Sequence, residues 1–410
     1  MEFSALHEHL DGGLRAKTII DIATSKNIDL PLDDEKDLEN WFYENISTEK
    51  NQVFKKFEMT ISVMQDTDAI HRVAYEAVED LVLDGVMYGE LRYAPLQHLK
   101  EKLSPQQVVD AVSQGVRDGE KDLENWFYEN ISTEKNQVFK KFEMTISVMQ
   151  DTDAIHRVAY EAIEDLVLDG VLYGELRYAP LQHLKEKLSP QQVVDAVSQG
   201  VSDGEKDFGG EFHTILCAMR QHQNSTEVAK LAIDNFNNKV IGFDLAGPEY
   251  NFPPSLHKDA CNLISESDIG LTIHAGEAAD LSYIEDAVFN CQAQRIGHGW
   301  QIIEGCEFKD GQYIPNSKIA QHVLDYEIPL EICISSNVKS GASSVSIDNH
   351  PAIKLLKSGF KVTLNSDNRL MAKTKISEEF KKAENYLELD ANLHSQLVNN
   401  AVDARFTNLK

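Results

Sequence analysis

Hydrophobic and polar positions along this chain alternate between two kinds of segment. Short apolar runs, each ending in a polar or glycine-rich cluster, recur between longer stretches with helical periodicity. In one such stretch the apolar residues repeat with the spacing of a helix face: Ile70, Val73, Ala74, Ala77, Val78, Leu81 and Val82. The pattern predicts repeated β-α units, and this helix is expected to pack its apolar face on a core.

Eight short apolar runs are the predicted strands. They cover residues 3–11, 89–95, 213–220, 240–247, 270–277, 295–300, 329–337 and 361–368, and the second run has a copy at 174–180. Eight strands that alternate with helices predict an α/β fold, a (β/α)8 TIM barrel with extra helices. In such a barrel the chemistry lies at the C-terminal ends of the strands, which is where the polar residues of these runs occur.

The chain contains a long internal duplication. Residues 35–119 recur at 120–204 with three substitutions, Val78 to Ile163, Met87 to Leu172 and Arg117 to Ser202. Each copy is predicted to form helix, helix, strand and helix. Without the second copy the unique sequence suits one large domain, so we expect a single barrel domain over residues 1–410. Strand number and tilt are coupled in a closed barrel, so one copy is expected to lie outside it, and the sequence does not say which.

Composition narrows the classes of partner. The chain has 67 acidic and 39 basic residues and a formal charge of −28, so a nucleic-acid polymer is not expected to bind. Five cysteines without C-x-x-C spacing suit a reducing compartment. The N-terminus lacks the features of a signal peptide, and no apolar run approaches the roughly 20 residues that span a bilayer. These features predict a cytoplasmic protein without a membrane partner and leave its oligomeric state open.

Several strand ends carry residues that can bind a metal. His7 and His9 are two residues apart on the first predicted strand, so they share one face with Asp11. Three other strands end in further candidate ligands, which are His274, His298 and Asp367. Three imidazoles and a carboxylate suit zinc, which can lower the pKa of a bound water to about 7 for hydrolysis. Glu277 follows His274 by three residues, which is a suitable position for a general acid.

Five linked motifs give the chain a family resemblance. They are HEHLDG at 7–12, HAGE at 274–277, RIGHG at 295–299, SSN at 335–337 and LNSD at 364–367. Their order and spacing resemble the adenosine deaminase family of metal-dependent hydrolases over essentially the whole chain apart from the duplicated segment. The resemblance implies zinc-dependent hydrolytic deamination of adenosine, and of 2′-deoxyadenosine, to inosine and ammonia.

The resemblance also implies a role for each motif residue. One Zn²⁺ would be bound by His7, His9, His274 and Asp367. Glu277 would protonate purine N1, and His298 would orient and deprotonate the water that attacks C6. The substrate would be contacted by His9, by Asp11 at the ribose, by the Gly247 N–H at purine N3 and by Asn368 at N7.

One residue departs from the family pattern, and alternatives remain open. Most of the family has an Asp where this chain has Asn368, but an amide always offers N–H donors, so the contact with N7 is retained. The fourth predicted strand does not end in a lysine that could bridge two metals, which favours a mononuclear site. The alternatives are a deaminase of adenine or a modified adenine nucleoside, a zinc hydrolase of another ring or amide, and an inactive binding protein in which the duplicated strand prevents barrel closure.

Overall fold

The computed structural model describes residues 3–43, 50–83, 86–128, 142–236, 238–339 and 345–408. The chain divides into two compact units, Met1–Glu129 and Asn130–Lys410, here called unit 1 and unit 2. The boundary falls within the second copy of the duplication. Residues 44–49, 84–85 and 129–141 of the two copies lie outside the described part of the chain.

Unit 1 combines a parallel strand pair with helices. The strands are β1 (Phe3–His9) and β2 (Val86–Arg92), and the helices are α1 (Ala16–Lys26), α2 (Glu35–Tyr43), α3 (Lys50–Val63), α4 (Thr67–Leu83) and α5 (Pro105–Tyr128). Helix α4 is the helix predicted from periodicity, and Ile70, Val73 and Ala74 of its apolar face are buried in the core. A Cβ at Gly115 would lie 2.3 Å from the carbonyl oxygen of His71, so only glycine allows the observed approach of α5 to α4.

Unit 2 contains a parallel sheet of seven strands. They are β3 (Tyr173–Tyr178), β4 (Glu211–Met219), β5 (Val240–Ala246), β6 (Gly270–Ala275), β7 (Arg295–His298), β10 (Leu330–Ile332) and β11 (Val362–Leu364), paired in the order β11-β10-β7-β6-β5-β4-β3. Apolar residues on both faces of the central strands are buried, as expected when helices cover both sides of a parallel sheet. An antiparallel hairpin that the sequence did not predict, β8 (Cys306–Lys309) and β9 (Gln312–Pro315), lies between β7 and β10 in the chain.

In unit 2 one helix precedes β3, and further helices follow the strands in sequence. They are α6 (Thr152–Leu168), α7 (Pro190–Phe208), α8 (Ser225–Asp234), α9 (Lys258–Ser265), α10 (Leu281–Phe289), α11 (Lys318–Asp325), α12 (Ile334–Lys339), α13 (Ala352–Lys357), α14 (Arg369–Ala372), α15 (Ile376–Tyr386) and α16 (Ala391–Asp403). This alternation confirms a TIM-like α/β fold with a curled parallel sheet. In the part of the chain that the structure describes, no helix has the length and apolar character required to cross a membrane.

The two copies of the duplicated segment pair with different strands. In the first copy β2 pairs with β1, whereas in the second copy β3 pairs with β4. The described ladders do not join either copy's strand to neighbours on both sides. Closure of an eight-stranded barrel with one copy outside it therefore stays a prediction.

The same nine residues, EKDLENWFY, also have two structural contexts. At 35–43 they form the separate helix α2, whereas at 120–128 they continue α5. The equivalent helix of the second copy, α7, ends at Phe208 and is followed by Gly209, which has a φ of +89°. Helix α5 continues because a helix-compatible segment follows Gly119, whereas two glycines follow Phe208 in α7.

Candidate active site

Four predicted site residues of unit 2 lie together at the C-terminal ends of its strands. His274 is on β6, His298 ends β7, and Glu277 and Asp367 follow β6 and β11. The ring centroids of His274 and His298 are 5.2 Å apart, and Nε2 of His298 lies 3.5 Å from Glu277 Oε2 and 3.9 Å from Asp367 Oδ2. His298 and Asp367 have φ angles of +62° and +54°, and such backbone conformations are concentrated at functional sites.

Cys333 joins this group, although the sequence analysis did not select it. Ligand-type atoms of His298, Cys333 and Asp367 lie within 4.8 Å of one another. Burial raises the pKa of the Cys333 thiol well above its ordinary value. Because thiolates rather than thiols bind metals, the Asp367 carboxylate is a stronger candidate for a metal ligand than the Cys333 thiol.

Asp244 fixes the orientation of His274. Nδ1 of His274 lies 3.1 Å from Oδ1 of Asp244, whose side chain is fully buried at the end of β5. Burial by itself would raise the pKa of Asp244, but the charges of His274 and Arg177 hold it well below its ordinary value. Burial likewise opposes protonation of His274, yet Asp244 raises the pKa of His274 to about 9. With Nδ1 held by a carboxylate, Nε2 is the nitrogen that can bind a metal.

A row of alternating charges supports Asp244. Arg177 donates to Asp244 at 3.2 Å and also pairs with Glu331. Arg295 pairs with both Glu331 and Glu175, each at 2.7 Å. Removing one member would leave a buried charge without its partner, so the row is expected to stabilise the position of Asp244 strongly. Glu175 and Arg177 both belong to the second copy of the duplication.

In unit 1 the two histidines of the first motif converge. Nε2 of His7 and Nε2 of His9 are 3.2 Å apart, and both side chains are exposed. Nη1 of Arg92 lies 3.2 Å from the other ring nitrogen of His7. Two imidazole nitrogens so close together can bind the same ion, in agreement with the prediction that the histidines share a face.

Asp11 lies near these histidines, in the short 3₁₀ turn Leu10–Gly12 that follows β1. Its Oδ2 accepts a hydrogen bond from the Ala94 N–H at 3.3 Å, and its Oδ1 is buried without a hydrogen-bond partner among the described residues. Burial would raise the pKa of Asp11, but His98 and the Ala94 N–H hold it below its ordinary value. Nδ1 of His9 lies 3.8 Å from this Oδ1, beyond hydrogen-bond distance, so the oxygen can still accept a hydrogen bond.

Comparison with known proteins identifies the family. The adenosine deaminase family profile matches residues 3–124 and again residues 122–410, so the two matches divide the chain within the duplication. The chain belongs to the adenosine deaminase family. The adenosine deaminase of Mycobacterium marinum is 39% identical over 293 residues, which cover 69% of this chain and 81% of that protein.

Solved structures show the same fold at low sequence identity. The adenine deaminase from Arthrobacter aurescens aligns with a TM-score of 0.51 at 19% identity. The alignment covers 98% of this chain and 93% of that chain. An amidohydrolase from Burkholderia ambifaria with bound Zn gives a TM-score of 0.50 at 15% identity, with 99% of this chain and 86% of the other covered. These similarities support the TIM-like fold of this adenosine deaminase family member.

The turn that carries Glu277 in this family member is held from two sides. The carboxylate of Glu249 accepts hydrogen bonds from the backbone N–H groups of Ala278 at 2.7 Å and Ala279 at 2.5 Å. The carbonyl oxygen of Glu277 accepts from Nε1 of Trp300 at 3.2 Å and from Gln301 at 3.3 Å. The backbone of Glu277 is therefore fixed while its carboxyl group remains partly exposed.

The remaining predicted residues lie beside this cluster. Asp367 accepts hydrogen bonds from Ser336 Oγ at 2.6 Å and from Asn368 Nδ2 at 2.9 Å. Gly247 follows β5 with a φ of +99°, a left-handed conformation that glycine adopts without strain. The contacts of Asn368 and Gly247 with a substrate stay predictions.

The predicted set is divided between the two units of the adenosine deaminase family chain. Unit 1 contains His7, His9 and Asp11, and unit 2 contains the other predicted residues. Sequence reasoning missed Arg177, Asp244 and Glu331, although charged residues within otherwise apolar strand segments were a signal for them.

Proposed function

We propose that this chain hydrolyses adenosine, and also 2′-deoxyadenosine, to inosine and ammonia with the help of one zinc ion. The observation that carries the proposal is the cluster of His274, Glu277, His298 and Asp367 at the strand ends of a member of the adenosine deaminase family. It combines nitrogen and carboxylate ligands with a carboxyl group that can transfer a proton.

The candidate ligands of each unit are of the types that zinc binds. Asp244 occupies Nδ1 of His274 and leaves Nε2 for the ion, while His7 and His9 direct their Nε2 atoms to one place in unit 1. We therefore propose that zinc is held by His7, His9, His274 and Asp367. A bound zinc would supply a water activated for nucleophilic attack near neutral pH.

The protein's own side chains would carry the rest of the reaction. Glu277 would give a proton to purine N1, which makes C6 a better electrophile, and His298 would contact the attacking water. The oxygen of water would bond to C6, one water proton would replace the proton that Glu277 gave to N1, and the other would pass to the amino group, so that the C6–N bond breaks and ammonia leaves. Proposed contacts with the substrate are made by His9, Asp11, Gly247 and Asn368. The buried Oδ1 of Asp11 supports a ribose contact because it needs a hydroxyl donor.

The proposed substrate is a small nucleoside, and the proposed architecture is a single barrel over residues 1–410 with one copy outside it. Location in the cytoplasm is part of the same proposal. The net charge of −28 is unfavourable for a nucleic-acid polymer but does not prevent a single uncharged nucleoside from binding.

The test is direct. The purified 410-residue chain, supplied with one equivalent of zinc, is incubated with adenosine while inosine and ammonia are measured. Parallel incubations contain 2′-deoxyadenosine and adenine, and adenine should react more slowly because Asp11 then has no ribose to bind. Metal-replete, folded protein that forms no inosine would contradict the proposal.

A further inference from the structure

A chain of buried hydrogen bonds lies behind His298. The backbone N–H of Ala352 donates to Nδ1 of His350 at 3.2 Å, and Nε2 of His350 lies 3.3 Å from Oδ1 of Asn337. Nδ2 of Asn337 is 2.9 Å from Nδ1 of His298. The exposed fractions of His350, Asn337 and His298 are only 1%, 1% and 2%, so solvent does not compete for these contacts.

The backbone amide gives this chain of contacts a direction. A backbone N–H can only donate, so Nδ1 of His350 is an acceptor and its proton is on Nε2 when the ring is neutral. Burial lowers the pKa of His350 to about 3, which keeps the ring neutral near pH 7. The Nε2–H of His350 then donates to Oδ1 of Asn337, and the amide N–H of Asn337 donates to Nδ1 of His298. The opposite direction would place the Nδ1–H of His350 against the N–H of Ala352.

The direction of these hydrogen bonds determines which ring nitrogen of His298 carries a proton toward the candidate active site. Since Nδ1 of His298 accepts a hydrogen bond, the proton of its neutral ring is on Nε2, the atom that lies 3.5 Å from Glu277 and 3.9 Å from Asp367. We propose that Asn337 and His350 are positioning residues that hold His298 as the Nε2–H tautomer, so that His298 donates a hydrogen bond to the attacking water and does not remove its proton. The inference rests on the proposed function and narrows the role that the family resemblance gives to His298.

The proton balance of the reaction changes accordingly. No proton joins or leaves His298 in this role. The proton that water loses passes to a carboxylate oxygen, and the electrons of that O–H bond remain on the oxygen that bonds to C6. Glu277 and Asp367 are the carboxylates closest to Nε2 among the described ion pairs of His298.

The substitution Asn337→Asp distinguishes a hydrogen-bond donor role of His298 from a base role, because the two roles predict opposite changes in kcat. A carboxylate at 337 can only accept, so Nδ1 of His298 must carry a proton, and a neutral His298 ring then has no proton on Nε2. If His298 acts as a donor, kcat should fall about 10- to 100-fold, which is the range for the loss of one hydrogen bond to a developing charge. KM should stay within about threefold of the parent value, and the zinc content should not change. If His298 acts as a base, the carboxylate would make it more basic, and an unchanged or higher kcat would overturn the proposal.

A matched control accounts for the added negative charge. Asn349 is exposed, lies next to His350 in the chain and accepts a hydrogen bond from the Ser346 N–H through Oδ1. Asn349→Asp makes the same substitution and keeps an acceptor for that bond. Its kcat should equal that of the parent chain, and a comparable decrease would mean that charge alone explains the Asn337→Asp result.

Nitrogen-15 NMR of the histidine rings tests the tautomer without catalysis. In the zinc-loaded parent chain the proton of His298 should be on Nε2, and the resonances of His298 are identified by their loss in His298→Gln. A proton on Nδ1 in the parent would overturn the inference even if Asn337→Asp does not fold. A parent chain that shows the Nε2–H tautomer but does not deaminate adenosine would instead contradict the proposed function.

Discussion

The neutral, buried ring of His350 predicts a specific loss of stability in acid. Its pKa is lowered from the ordinary value of 6.5 to about 3, mainly by burial and further by the charge of His298. Between these two values the unfolded chain binds a proton that the folded chain does not bind. The free energy of unfolding of unit 2 should therefore decrease as the pH falls below 6.5, and this contribution should level off below about pH 3.

The size of the effect follows from the two pKa values. Each pKa unit is worth about 1.36 kcal/mol, so the full difference corresponds to about 5 kcal/mol, and about 2.7 kcal/mol should already be lost at about pH 4.5. His350→Gln removes the titrating group while its amide can still donate to Asn337. Acidification also protonates carboxylates, but that loss is common to both proteins and cancels in their difference.

Urea unfolding followed by tryptophan fluorescence measures this difference. Trp300 lies in unit 2 with its ring centroid 6.2 Å from that of His350, so Trp41→Phe and Trp126→Phe make it the reporter. Unfolding free energies are compared between about pH 7.5 and 4.5, and the parent should lose about 2.7 kcal/mol more than His350→Gln. His222→Gln replaces an exposed histidine and should follow the parent curve. Parallel curves for the parent and His350→Gln would refute the reasoning.

Three further outcomes are expected. Glu277→Gln should abolish turnover and still bind zinc, because the amide keeps the shape but cannot deliver the proton; near-parental kcat would remove Glu277 from the mechanism. Metal analysis of active protein should find one zinc per chain, and either none or two would contradict the mononuclear site. Deletion of residues 120–204 joins Gly119 to Glu205 and should give a soluble, zinc-binding chain that deaminates at least as well as the 410-residue chain. If the shortened chain does not fold while the full chain is active, both copies are structural and the single-barrel prediction is wrong.

The sequence was sufficient to predict most strands and the chemistry at their ends. Observed strands such as Val240–Ala246 and Gly270–Ala275 lie within their predicted ranges because short apolar runs bounded by polar or glycine residues are a local signal. The seventh predicted strand, 329–337, was too long, since its residues 334–337 form the start of α12. The cluster of His274, Glu277, His298 and Asp367 was predicted because parallel strands bring their C-terminal ends to one edge.

The environment of each side chain required the tertiary structure. Asp244 orients His274 across 30 positions of sequence, and Asn337 and His350 determine the hydrogen bonding of His298 from two later segments. No local pattern encodes these contacts, because each depends on side chains that meet only after distant segments pack together. The direction of the His298 contact, for example, depends on the backbone N–H of Ala352.

The duplicated segment shows this division within one chain. The sequence determined that both copies have the same local preferences, and both form a strand from the same residues, GELR, at 89–92 and 174–177. The tertiary structure decided that the first strand pairs with β1 and the second with β4, and that only Arg177, and not its counterpart Arg92, makes the described ion pairs with Asp244 and Glu331. The physical reason is that identical segments have nearly identical local energies, so their different positions follow from the partners that the rest of the chain supplies to each copy.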